Sequence, residues 1–94
     1  MTMNETLKKA KEGDESAKMA IIEMYKMMVY KIASKYYSSF LDINDLVQEG
    51  MIGILEAIEK YDDTRKASFC TVAHIYITKC IKRAVDSNSG GGGI

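Results

Sequence analysis

The sequence predicts an all-α domain, a compact bundle of three to four helices, on three observations. Its 94 residues contain no proline and are dominated by strong helix formers. Three long segments repeat their apolar residues every three or four positions instead of alternating them. An Asp or Ser stands ahead of each, at Asp14, Asp42 and Ser68, where a side-chain oxygen can accept the first free helix amides. A chain of this length supports one modest core and one domain.

The first element is a short helix over residues 6–12, with Asn4 as its cap and Gly13 as its stop. Asp14 then caps a long helix reaching about Tyr37. Its buried stripe is Ala17, Ile21, Met24, Met28, Ile32 and Tyr36. Met19, Met24, Met27 and Met28 read most simply as core filler, and more sharply as an adaptable binding surface. The stretch SSFLD breaks that helix and leaves Asp42 as the next cap. The third helix spans about residues 43–61, with Leu46, Val47, Gly50, Ile54, Ala57, Ile58 and Tyr61 on its apolar side.

Gly50 and Gly53 are costly there, because glycine weakens a helix interior by up to about 1 kcal/mol. Their spacing puts them near one face. The gain is close approach of another backbone, from within the domain or from a partner. DDTRKAS is a charged connector. Ser68 caps a last helix over about residues 69–86, with Ala73, Ile77, Ile81 and Ala84 inward and Thr71, Thr78, Lys79, Lys82 and Arg83 largely outside. SNSGGGGI, residues 87–94, reads as a flexible tail or an expression scar that cannot hold a helix.

Net charge is zero, with 13 basic and 13 acidic residues, so composition names no partner. Distribution says more. From Asp42 to Asp63 the acids are Asp42, Asp45, Glu49, Glu56, Glu59, Asp62 and Asp63, against Lys60 alone. From Arg65 to Arg83 the bases are Arg65, Lys66, Lys79, Lys82 and Arg83, with no acid. Such a split bears on binding rather than on fold.

Cys70 and Cys80 sit about 15 Å apart along one helix and cannot pair with each other. As buried small apolar residues they fit a reducing, cytoplasmic setting; no signal peptide or membrane-spanning run is visible. Cys70 and His74 share a helical face and could supply two metal ligands or a thiol–imidazole dyad. A closed zinc site needs about four ligands, though, and a dyad needs an orienting group and an oxyanion site. No metal, cofactor or catalytic residue is therefore expected. Lys79, Lys82 and Arg83 fall at i, i+3 and i+4, with Phe69 and Tyr76 on the same helix. Cations can neutralise phosphates, and aromatic rings can stack on single-stranded bases.

The order of the motifs carries a resemblance. The segment from Leu7 to Tyr37, then DINDLVQEGMIGILEAIEKYD, then ASFCTVAHIYITKCIKRAV, resembles region 2 of the sigma-70 family, the initiation factors of bacterial RNA polymerase. The likeness covers about residues 5–86, is closer to alternative sigma factors of Gram-positive type than to a housekeeping one, and is most specific in DLVQEGMIGILEAIEKYD. It implies that Asn44, Asp45, Gln48, Glu49, Met51 and Leu55 dock on the clamp helices of the largest polymerase subunit. It implies that the last helix captures the non-template strand of the promoter −10 element, with Phe69, Val72, Ile75 and Tyr76 at the positions of the melting aromatics. Lys79 and Lys82, with Arg83 beside them, correspond to the readers of the upstream duplex.

Only Phe69 and Tyr76 remain aromatic among those four, a departure that could forfeit roughly 1–3 kcal/mol of stacking at each lost ring. The −35-binding domain of such factors is not in this sequence, so an excised domain or a single-domain relative is expected, able to bind polymerase but poor at directing transcription. An anti-sigma factor is a further partner the resemblance admits. The expected function is a non-enzymatic, cytoplasmic transcription initiation domain that binds core polymerase and melts the −10 element, over residues 1–86. The rival is a protein-only adaptor that binds polymerase without reading DNA.

Overall fold

The computed structural model describes the backbone of residues 2–37 and 42–92, and side chains of those residues up to 87. It contains four helices: α1 (Met3–Lys11), α2 (Glu15–Tyr36), α3 (Ile43–Lys60) and α4 (Phe69–Gly92). The caps follow the local chemistry. Asp14 Oδ1 accepts from the Ala17 amide at 3.1 Å, and Asp42 Oδ1 from the Asn44 amide at 2.9 Å. Ser68 Oγ accepts from the Thr71 amide at 3.3 Å.

Two boundaries differ from expectation. Helix α1 starts earlier, because Thr2 rather than Asn4 caps it, its side chain accepting from the Glu5 amide at 3.2 Å. Helix α4 continues past Asp86 to Gly92. Extending a formed helix needs no new nucleus, although each glycine weakens the extension by up to about 1 kcal/mol. Gly13 ends α1 as expected, at φ 105°, a left-handed conformation that glycine adopts without a Cβ clash. Tyr37 is already extended, so α2 ends at Tyr36; the rest of the SSFLD break, residues 38–41, lies outside the described residues.

All four helices contribute to one core. Ile21, Val29, Leu46, Ile54, Ile58, Ile77 and Ile81 are its largest fully buried side chains. Each contributes about 1.5–3 kcal/mol by leaving water. The most extensive contact is between α3 and α4. Gly50 and Gly53 explain it. A Cβ on Gly53 would lie 2.7 Å from the Tyr76 carbonyl oxygen and 2.8 Å from Ile77 Cα, so α3 rests directly on the α4 backbone. A Cβ on Gly50 would lie 2.6 Å from Val29 Cγ1. The close neighbour of both glycines is the domain itself.

The stripe of α2 needs correction at Met24, which is exposed, as are Met19 and Met27; of the four methionines only Met28 packs on the core. Val29 and Ala33, outside the expected stripe, are buried beside Ile32. The α3–α4 connector is held by an Asp62 turn. Asp62 Oδ1 accepts from the Thr64 amide and hydroxyl at 2.9 and 2.6 Å, which holds its carboxyl below the usual range, with Arg65 and Lys11 adding. Lys11 Nζ donates to the Tyr61 carbonyl, tying α1 to the end of α3.

Candidate functional site

Helix α3 turns Leu46, Val47, Gly50, Gly53, Ile54, Ala57 and Ile58 inward, so its opposite side faces solvent. Asn44, Asp45, Gln48 and Leu55 stand on that outer side and are exposed. Glu49 is half-buried at the edge, together with Glu56, whose Oε1 lies 3.9 Å from Cys80 Sγ. That edge borders α4. Met51 is half-buried and packs partly against the core, so it offers less apolar area than the sequence suggested. Ile52 supplies what Met51 does not: it is 47% exposed, beside Gln48 and Leu55 on the helix. The sequence gives no periodic signal for it, because it is a single isoleucine on the polar side of the helix.

Helix α4 turns Phe69, Ala73, Ile77, Cys80 and Ile81 inward. Val72 and Tyr76 are half-buried, and Ile75, Lys79, Lys82 and Arg83 are exposed. Six of the seven predicted nucleic-acid residues therefore share one outward strip. Phe69 does not. It is 4% exposed, and its ring meets Tyr25 and Tyr61 edge-on at centroid distances of 5.4 and 5.5 Å. This corrects its assignment as a stacking platform: the aromatic cluster at the start of α4 buries it as a core ring. The strip keeps one aromatic ring, Tyr76, and Lys79 Nζ lies 5.7 Å from its centroid, a cation–π approach. Thr78, placed outside the stripe from sequence, has its hydroxyl oxygen buried instead.

The thiols divide. Cys80 is buried and Cys70 exposed, which corrects the reading of both as interior. Burial pushes the Cys80 thiol up, the Glu56 carboxylate adds to this, and the Arg83 guanidinium opposes it. Burial also raises the Tyr25 phenol, with Cys70 a lesser contributor. Cys70 and His74 are both exposed, and among the described residues no group of three or more His, Cys, Asp or Glu is placed to hold a metal. With a chromogenic disulfide reagent at mildly alkaline pH, Cys70 should react fast and Cys80 only on unfolding. Equal rates for Cys70→Ala and Cys80→Ala proteins would contradict the packing of α4 on α3. Raising the pH further should destabilise the fold: the unfolded state releases the Cys80 proton first, so stability is complete below the ordinary thiol pKa and falls above it.

No helix among the described residues is long and apolar enough to cross a membrane. A family model described as Sigma-70 region 2 matches residues 21–90. The chain is 38% identical over 78 residues to the RNA polymerase sigma factor RpoS of Coxiella burnetii, covering 83% of this chain and 22% of that protein. It is 37% identical over 89 residues to the RNA polymerase sigma-C factor of Nostoc sp., covering 95% of this chain and 21% of that protein. The chain thus spans about a fifth of the length of these relatives.

Proposed function

Since this chain belongs to the sigma-70 family through its region 2, we propose that it is a transcription initiation domain with two binding faces. The outer side of α3 docks on the clamp helices of core RNA polymerase, and the outer strip of α4 takes the non-template strand of the promoter −10 element. The observation that carries this reading is the division of exposed side chains between two helices locked together at Gly53. Asp45 and Gln48 stand on one face and Lys79, Lys82 and Arg83 on the other.

On α3, Asn44, Asp45 and Gln48 supply hydrogen bonds to a basic partner, while Leu55 and Ile52 supply apolar area between them. Glu49 and Met51 contribute from the flanks. On α4, Tyr76 offers a ring face once Lys79 swings aside to a phosphate, Val72 and Ile75 support an unstacked base, and Lys82 and Arg83 meet the upstream duplex. Binding energy from captured bases offsets the cost of opening the duplex. The polymerase performs the chemistry.

One observation favours the alternative of a polymerase-binding adaptor that does not read DNA: with Phe69 interior, the α4 strip holds a single aromatic ring. The test is a pull-down with core polymerase followed by binding to −10 non-template oligonucleotides. Asp45→Lys should weaken polymerase binding about tenfold or more by placing like charges together, with helicity intact. Undiminished binding would misplace the docking face. Polymerase binding without preference for −10 single strands would leave the adaptor.

A further inference from the structure

Helix α2 is apolar on two sides. Ile21, Val29, Ile32 and Ala33 face the core. Met19, Met24, Met27, Tyr30 and Tyr37 do not: Met27 is 73% exposed, and Met19 and Tyr37 are each 58% exposed. The other large apolar side chains in solvent among the described residues, Ile52, Leu55 and Ile75, belong to the α3 and α4 faces already described. At about 100° per residue, Met27 and Tyr30 fall within roughly 60° of each other, on the side of α2 turned away from the core, and the exposed Tyr37 follows at the end of the helix. Ser34 lies between the tyrosines in the chain, with its hydroxyl donated back to the Tyr30 carbonyl at 2.8 Å. A helix with two apolar sides and one core has a side left to cover.

The charge around this strip is mainly basic. From residue 19 to residue 37 there are three lysines, Lys26, Lys31 and Lys35, against one acid, Glu23, a turn ahead of Met27. By helix geometry Lys26 borders the strip on one flank and Lys31 on the other. We propose that the outer face of α2 is a docking surface for an acidic amphipathic helix of another protein, its apolar side on Met27, Tyr30 and Tyr37 and its carboxylates on Lys26 and Lys31. A second copy of this chain is a poor occupant, because a two-fold contact sets the same patch against itself and brings like charges together. Nucleic acid would satisfy the lysines but not the methionines, whose flexible thioethers suit apolar side chains of a helix. The strip is separate from the α3 and α4 faces, so this proposal stands or falls apart from the polymerase reading.

The probe is a synthetic, fluorescent peptide of about three heptads with leucine on one side and glutamate on the other. Anisotropy with the whole chain should show saturable binding. The pair Met27→Asp and Tyr30→Asp should weaken it at least tenfold, and Lys31→Glu about threefold, while Ile52→Asp on α3 leaves it unchanged. All altered side chains are exposed, so circular dichroism should match wild type; if the double variant loses helicity, Lys31→Glu alone decides. A peptide with lysine in place of glutamate should not bind. The proposal is overturned if neither peptide binds, if both bind alike, or if the α2 variants bind as wild type does. It is overturned equally if oligonucleotides, or self-association seen by sedimentation, depend on Met27 and Tyr30 while the acidic peptide does not.

Discussion

Gly53→Ala should lower stability by about 3 kcal/mol, the upper part of the range for overpacked cores. Alanine is the better helix former by up to about 1 kcal/mol, so propensity alone predicts the opposite sign. Packing wins because of what the new methyl would strike. It would sit 2.7 Å from the Tyr76 carbonyl oxygen, 2.8 Å from Ile77 Cα and 2.9 Å from Ile77 N. These are backbone atoms in the middle of α4, and no rotamer change moves them. Gly50→Ala is the matched control. Its methyl would meet Val29 Cγ1 at 2.6 Å and Ile81 Cδ1 at 3.3 Å, both side-chain ends. These can shift, so the loss should be smaller, about 1 kcal/mol after the propensity gain. Thermal unfolding would separate the two, with Tm falling more than about 10 °C for Gly53→Ala and much less for Gly50→Ala. Equal shifts, or a more stable Gly53→Ala protein, would mean that α3 and α4 are not in backbone contact. The clash is with the peptide that carries Tyr76, so the same substitution should also disturb the α4 binding strip.

Much of this architecture was legible in the sequence because it is written in local chemistry. Asp14, Asp42 and Ser68 mark the starts of their helices by side-chain oxygen alone, and the period of Leu46, Val47, Ile54 and Ile58 finds the inner side of α3 without knowledge of its neighbours. The period of α2 places Met24 inside, and the family resemblance places Phe69 among the strand-facing aromatics; which side of a helix is covered depends on what packs there. Met24 lies one residue from Tyr25, and it is Tyr25 that reaches the core, through Phe69. Phe69 is the first residue of α4, four before Ala73 on the inward stripe, and Tyr61, at the end of α3, closes over it. Gly50 and Gly53 announced a close approach, but their partner could be named only when α4 was in place. The exposed Ile52 was hidden in the same way, since one isoleucine on a polar face carries no periodic signal.

The two aromatic rings kept on α4 should therefore respond in opposite ways to removal. Phe69→Ala takes a ring from between Tyr25 and Tyr61 and should cost about 3–5 kcal/mol of stability, the range for a buried phenylalanine. Against a total of roughly 5–15 kcal/mol, that brings a small domain close to unfolding. Binding of a −10 single strand, corrected for the folded fraction, should hardly change. Phe69→Leu keeps most of the volume and should recover most of the stability, so the comparison survives even if the alanine protein does not fold. Tyr76→Ala works the other way. Its ring is half-buried on the outer strip under Lys79, so the fold should lose little, while the loss of a stacking face should cost about 1–3 kcal/mol of single-strand binding. Random duplex, which the proposed strip would hold by the charge of Lys79, Lys82 and Arg83, should lose far less. Denaturant melts and oligonucleotide titrations on the same proteins read both quantities. If Phe69→Leu loses strand affinity as Tyr76→Ala does, with stability intact, the ring swings out to the DNA, and the interior role given to Phe69 is wrong. If Tyr76→Ala weakens single strand and duplex equally, the tyrosine does not stack on a base, and the strip is held to nucleic acid by its cations alone.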